Sequence, residues 1–156
     1  MRIHSAGAAD RGALRAFLGR LSPRTVQTRF LRPAVNLSGL LADRELERIV
    51  ERNPAEHTVL LAMDGPHIRG LGEFVVERVG IAELALVVED AFQGRGVGRS
   101  LLRELEPLAR ARGIRVFTGE VAHDNARAVA LLRRTGRRLH MRAEYASLRF
   151  NLLLDS

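Results

Sequence analysis

The 156-residue chain has no cysteine and no lysine, one tyrosine, and no apolar run near the ~20 residues that span a membrane. Without cysteine, disulfides and thiolate chemistry are excluded, and a cytoplasmic setting is the default. Without lysine, the phosphate loop G-x-x-x-x-G-K-[ST] cannot be completed. The opening residues MRIHSAGAAD lack the apolar core of a signal peptide. No Ser/Gly/Pro-rich linker, repeat or low-complexity tract divides the sequence, so one domain over residues 1–156 is expected, large enough for a proper core.

Positive charge is abundant. All 25 basic residues are arginine, against 18 acidic ones, which gives a net charge of +7 and a pI near 11.4. Such a surplus raises nucleic acid as a partner. The arginines are scattered, however, and only Arg133-Arg134 and Arg137-Arg138 are locally dense. Dispersal of this kind fits a composition bias, and neither nucleic acid nor a membrane is expected as partner. With 46% hydrophobic and 28% charged residues, the chain reads as a soluble globular protein.

Helical patterns come first. Asp10 reads as the N-cap of a helix with Leu14, Phe17, Leu18 and Leu21 on its apolar face. Ser22-Pro23 reads as a second start, leading into Thr25 to Phe30. Leu40, Leu41, Leu46, Ile49 and Val50 mark a third helix ending at Asn53-Pro54. Strands follow: His57 to Met63, a turn at Asp64-Gly65, Ile68 to Val79, a turn at Gly80, and Ile81 to Val88. A helix from about Gly98 to Arg112 holds Pro107 inside it, which removes a ladder bond and should bend it. Then come a strand from Ile114 to Val121, a helix capped by Asp124 or Asn125 through about Arg134, and one or two strands between Leu139 and Leu154. The order describes a mixed α/β sheet with a crossover helix.

Between the strand Ile81–Val88 and the next helix lies Gln93-Gly94-Arg95-Gly96-Val97-Gly98. A strand that turns through glycines into a helix aims unpaired N–H groups and the positive dipole end at one point, a site for phosphate. The dinucleotide fingerprint G-x-G-x-x-G does not fit, because the preceding strands form hairpins rather than a βαβ unit. A glycine turn that merely starts a helix is the plain alternative.

The pattern Q-x-x-G-x-G after a strand resembles that of the GNAT superfamily of acyl-CoA-dependent N-acetyltransferases. The resemblance extends over the helix RSLLRELEPLARARGI, the strand FTGEVAHD and the helix NARAVALLRRTG. Within the family the chain looks most like bacterial protein lysine acetyltransferases, through LSPRTVQTRFLRPAVNLS and AELALVVEDAFQGRGVGR. The fold so implied is α/β, of the mixed α+β kind, with a mostly antiparallel sheet splayed between its fourth and fifth strands and flanked by helices. The implied cofactor is acetyl-CoA. Its diphosphate would lie on backbone N–H groups from Gln93, Gly94, Arg95, Gly96, Val97 and Gly98, with Arg99 and Ser100 nearby. Arg95 or Arg99 could add a charge-assisted contact. The pantetheine arm would pair with Leu86, Val87 and Val88, and the Val88 N–H would bind the thioester oxygen. Asn125 matches the family's asparagine, although a plain N-cap explains it almost as well.

Aminolysis needs an uncharged amine, and a free lysine amine has a pKa of ~10.4. A base reached directly or through water must therefore take a proton. Glu83 is the leading candidate because it interrupts the apolar strand IAELALVV, where burial would raise a carboxylate's pKa. Its alternative is a strand-end glutamate paired with arginine. Glu120 on the neighbouring strand is second, with an exposed or ion-paired residue as the plain reading, and Glu73 is third. His123 and His140 read as polar surface. No metal-ligand spacing and no Gly-x-Ser-x-Gly elbow appear, so neither a metal nor a covalent acyl-enzyme is expected.

The sequence also departs from the family. Many GNAT enzymes carry a tyrosine seven residues after the asparagine; here that position is Leu132, and the one tyrosine is Tyr145. The usual Gly-Phe after that helix is Gly136-Arg137. Protein lysine is the favoured acceptor, with a substrate groove expected from Ser22 to Ser38. A small-molecule amine is the enzymatic alternative, and a non-catalytic acyl-CoA sensor the alternative from another class. A monomer or homodimer is expected. A chain without lysine cannot be regulated by acetylation of its own side chains, and no room is seen for an attached regulatory domain.

Overall fold

A computed structural model describes residues 1–22, 40–145 and 147–154. The helix expected at Thr25 to Phe30 and the body of the groove expected from Ser22 to Ser38 lie outside the described residues.

Seven strands form one sheet in the order β1-β2-β3-β4-β5-β7-β6. They are β1 (Arg2–Ser5), β2 (His57–Asp64), β3 (His67–Arg78), β4 (Ile81–Val88), β5 (Val116–Ala122), β6 (Leu139–Ala143) and β7 (Ser147–Leu153). All neighbours are antiparallel except β4 and β5. That parallel pair holds register only at Ile81–Val116, Ala82–Phe117 and Glu83–Thr118, after which the strands part. The sheet is therefore splayed between its fourth and fifth strands, as the family resemblance implies.

Among the described residues the α-helices are α1 (Arg11–Arg20), α2 (Leu40–Val50), α3 (Val97–Ala111) and α4 (Ala126–Arg133). Apolar residues of α1 and α2, among them Leu14, Phe17, Leu46 and Ile49, cover one sheet face through Val59, Leu61, Leu71 and Val87. On the other face, Leu101, Leu105 and Ala109 of α3 pack on Phe74, Leu84, Phe117 and Phe150. Strand alternation sorts the side chains between these two cores. Under α3, the strand β3 presents Gly70 and Gly72. A Cβ at Gly70 would stand 2.7 Å from Val97 Cγ1, and one at Gly72 would stand 2.9 Å from Leu105 Cδ1. Glycine here lets the helix lie directly on the backbone.

Two local expectations change. Strand β1 was not expected; it is a four-residue edge strand paired to β2 at Arg2–Met63 through Ser5–Leu60. Asp10 does precede α1, but its side chain turns away from the helix, accepting from the Gly7 N–H at 2.8 Å while His4 Nε2 lies 3.0 Å away. As expected, α3 holds Pro107 inside one 15-residue helix. Pro107 is exposed, so the Arg103 carbonyl that loses its ladder partner faces water.

Candidate active site

Strand parity defines the opening between β4 and β5. The Glu89 N–H donates to the Arg69 carbonyl of β3 at 2.8 Å. Ladder bonds alternate along an antiparallel strand, so the N–H groups of Val87 and Ala85 also face β3. Those of Leu84, Leu86 and Val88 point the other way, into the opening. The strand thus presents an edge without register partners from Leu84 onward, about 16 Å long. The Val88–Glu89 peptide is held at both ends: its N–H by Arg69, and its Val88 carbonyl by Gln93 Nε2 at 3.0 Å.

The glycine loop closes the top of this opening. After a short turn at Asp90–Phe92, Gly94 and Gly96 take φ of 76° and 84°, the left-handed region that side chains rarely adopt. The Ser100 N–H bonds to the Gly96 carbonyl at 3.0 Å, so the N–H groups of Val97, Gly98 and Arg99 precede the first intrahelical bond of α3. A Cβ on Gly98 would touch Leu131 of α4 and Val88 of β4, at 3.7 and 3.8 Å. The first turn of α3 is therefore wedged between the end of β4 and the flank of α4.

Beneath the loop is a charged hub. Glu89 receives Arg20 Nε at 2.6 Å and Arg69 Nη1 at 2.7 Å. Burial pushes its carboxyl pKa up, but the hydrogen bonds and charge of Arg69 and Arg20 outweigh this and hold it below the usual glutamate range. Arg69 and Arg95 both stack on Phe92, with guanidinium carbons 4.5 and 5.0 Å from the ring centre. Arg95 is thus placed on an aromatic face, while Arg99 and Ser100 are exposed at the start of α3.

The structure brings Leu86, Val87, Val88 and Gln93 to Ser100 together at the mouth of the opening, but separates the candidate bases. Glu83 and Glu120 both project to the sheet face carrying α1 and α2, opposite α3. Glu83 is exposed, contrary to the half-buried carboxylate that its apolar strand suggests: Leu84 and Ala82 face the α3 core, and parity turns Glu83 outward. Glu120 lies two residues beyond the last β4–β5 pair and is ion-paired, receiving Arg149 Nη1 at 2.9 Å. Glu73 is buried at 3% exposure and held by Arg48, whose Nη1 is 2.9 Å from Oε1 and whose Nη2 donates to Oε2 at 3.0 Å. His57 Nε2 lies 3.5 Å from the same carboxylate. That arrangement reads as a structural ion cluster between α2 and the sheet.

Asn125 Oδ1 accepts from the Ala128 N–H at 3.1 Å, the N-cap of α4. Leu132, at the position where the family often has tyrosine, is buried in the α3-side core. Tyr145 is fully exposed in the β6–β7 connection. His123 Nε2 lies 3.2 Å from the Glu144 carbonyl, and His140 is exposed. Among the described residues no three His, Asp or Glu side chains gather as a metal site, and no helix is long and apolar enough to cross a membrane. One residue missed in the sequence is Arg127. It donates through Nη1 to Gln93 Oε1 at 3.0 Å, from 34 residues further along the chain. Nothing local marks it among so many arginines.

Residues 26–136 match the acetyltransferase (GNAT) family. A stretch of 59 residues is 51% identical to the N-alpha-acetyltransferase RimI of Mycobacterium tuberculosis, spanning 37% of this chain and 35% of that relative. The match thus takes in about a third of the relative's length. Among solved structures, the GNAT domain of S. lividans PAT superposes with a TM-score of 0.85 at 25% identity, over 97% of this chain and 89% of that one. The structure of yncA from Salmonella typhimurium with its cofactor acetyl-CoA superposes with a TM-score of 0.78 at 22% identity, over 99% and 94% of the two chains. At that identity the likeness is one of fold.

Proposed function

The chain belongs to the acetyltransferase (GNAT) family, and we propose that it transfers acetyl from acetyl-CoA to an amine carried by a protein, by direct attack. The observation that carries the proposal is the convergence of two sets of N–H groups. One is the open edge of β4 at Leu84, Leu86 and Val88, and the other is the loop of Val97, Gly98 and Arg99.

The residues fit the cofactor. Gly94 and Gly96 let the backbone approach phosphate closely, and the helix end adds its dipole. An extended pantetheine arm can pair with the free edge of β4 as another strand would. When bound, the cofactor supplies the acetyl thioester. The Val88 N–H then donates to the thioester oxygen as charge develops there. Its peptide neighbour is fixed by Gln93 and Arg69 before any ligand arrives, so little reorganisation is needed. The amine nitrogen bonds to the acetyl carbon, the carbon–sulfur bond breaks, and the amine proton passes to water or a carboxylate. Leu132, at the position where the family often has tyrosine, has no proton to give, so the thiolate leaves without a side-chain acid from that position or takes a proton from water.

The choice of acceptor rests on where the carboxylates stand. Glu83 is exposed and Glu120 is committed to Arg149. At pH 7.5 about one in 800 lysine side chains is neutral, against about a third of α-amines with a pKa of ~7.8. A site whose nearest carboxylates are exposed or ion-paired suits the α-amine of a polypeptide N-terminus better than the lysine side chain expected from sequence. The partial likeness to the N-alpha-acetyltransferase RimI supports the same choice.

Thiol release from acetyl-CoA tests this with three acceptors: a lysine-free peptide with a free N-terminus, an N-terminally blocked peptide containing lysine, and a polyamine. The fastest release is expected with the first, with slow release from the second and none from the third. Release with the blocked peptide alone restores lysine as acceptor, and release with the polyamine alone overturns the protein reading. Binding of acetyl-CoA without release on any amine would make the chain an acyl-CoA sensor.

A further inference from the structure

Arg127 has no role in the reading so far. It is exposed in the first turn of α4, and its one hydrogen bond is to a neutral amide, Gln93 Oε1. Among the described residues no carboxylate comes within ion-pair distance of it. Of the other arginines around the site, Arg69 is paired with Glu89, Arg149 with Glu120, Arg95 stacks on Phe92, and Arg99 is exposed at the start of α3. The guanidinium of Arg127 also lies over the loop, with Cζ and Nη2 each 3.8 Å from where a Gly94 Cβ would be.

A guanidinium has five N–H donors in one plane, and Gln93 uses one. The others are left beside a loop whose backbone already presents donors and a positive helix end. Two positive features lie close together, and among the described residues no carboxylate is paired with the guanidinium. A diphosphate is complementary to both at once, and Arg is the side chain best shaped to grip it. Gln93 makes the arrangement rigid, because its other end is fastened to the Val88 carbonyl at 3.0 Å. One side chain therefore ties the cation, the loop and the strand edge together.

We infer that Arg127 is a phosphate-contacting residue of the cofactor site, held by Gln93 so that its free donors meet the diphosphate of coenzyme A opposite the Val97–Arg99 N–H groups. The inference rests on the coenzyme A reading above. It gives the chain a means of preferring phosphate-bearing donors to bare pantetheine thioesters.

Calorimetric titration of the intact chain with coenzyme A, dephospho-coenzyme A and pantetheine tests it without any acceptor. Dephospho-coenzyme A keeps the diphosphate and lacks the ribose phosphate; pantetheine lacks all phosphate. Arg127→Ala should weaken the first two alike, by about tenfold, and leave pantetheine unchanged. Arg127→Gln, which can still donate to Gln93, should lose as much. Unchanged coenzyme A binding by Arg127→Ala overturns the inference. So does a loss confined to coenzyme A, which would assign the residue to the ribose phosphate. An equal loss on all three ligands, or wild-type affinity in Arg127→Gln, would reduce it to a prop for the loop. If the wild-type chain binds no coenzyme A, the cofactor reading fails together with this one, a result that no Arg127 variant can imitate.

Discussion

The close approach of α3 to β3 puts cofactor binding under the control of a methyl group. In Gly70→Ala the new Cβ would stand 2.7 Å from Val97 Cγ1 and 3.1 Å from Leu101 Cδ1. Carbon pairs settle at about 3.5–4.0 Å, so roughly 1 Å must be found. Val97 cannot supply it by rotating, because a β-branched residue in a helix has essentially one χ1 well. It is also buried, at 5% exposure. The first turn of α3 must therefore lift. Overpacking of this kind costs about 1–3 kcal/mol, and the lower unfolded-state entropy of alanine offsets up to about 1 kcal/mol. A net loss near 2 kcal/mol lowers Tm by about 4–8 °C in a domain of this size.

The larger effect falls on the ligand. A lift of about 1 Å stretches hydrogen bonds from the Val97 and Gly98 N–H groups beyond useful length, and coenzyme A affinity should fall about tenfold or more. Thermal denaturation and calorimetric titration measure the two effects. Gly19→Ala in α1, where a Cβ meets nothing within 4 Å, is the control and should be neutral or stabilising. Adding Val97→Ala to Gly70→Ala removes the clashing atom, so the pair should cost less than the sum of the single changes. Strict additivity, or unchanged coenzyme A affinity in Gly70→Ala, would refute the account of α3 as a helix seated on glycine.

The held-down pKa of Glu89 gives a pH dependence. A carboxylate depressed on folding adds stability above its unfolded value of about 4.3, and that stability is lost as pH falls through the lower folded value. Tm should therefore drop below about pH 4.3, and Glu89→Gln should be less stable at pH 7 with a shallower acid slope. Arg48→Met leaves buried Glu73 without its guanidinium and should cost about 3–5 kcal/mol, part of which Glu73→Gln recovers in the double variant, read by denaturant titration. Glu83→Gln and Glu120→Gln should each lower kcat on a lysine acceptor, by up to about 100-fold for whichever is the base. On an α-amine they should change it little above pH 8. Full activity of both on lysine would remove them as bases.

What was legible in the sequence was whatever depends on neighbours along the chain. The loop Gln93–Gly98 could be read because left-handed backbone at Gly94 and Gly96 requires glycine in place. Strand β4 could be read to its ends because apolar residues on both faces give a run broken only by Glu83. Strand β1 could not: Arg2 to Ser5 has no alternation of its own and is a strand only because β2 lies beside it. Asp10 was legible as a boundary but not as a partner, since the competing N–H of Gly7 and the ring of His4 take its oxygens. Arg127 was invisible for a different reason. Its meaning is a contact with Gln93 across 34 residues, in a chain where arginine is the only basic side chain besides histidine.

The choice of base was the least legible point, and strand geometry explains why. A glutamate in an apolar run suggests burial, but one residue of parity decides between the α3 core and the opposite face, and Glu83 takes the second. The Val88 N–H lies in the plane of the sheet, and α3 covers the other face, so an acceptor amine must arrive from the side to which Glu83 and Glu120 project. Glu83 is three to five residues from the edge at Leu86 and Val88, about 10–16 Å along the strand. It can act there only through water. Glu120 lies further toward the open end, on the far strand, but Arg149 holds it. Neither carboxylate is therefore both near and free. An acceptor that arrives largely uncharged needs neither of these, and this ties the geometry of two strands to the kind of amine the site can serve.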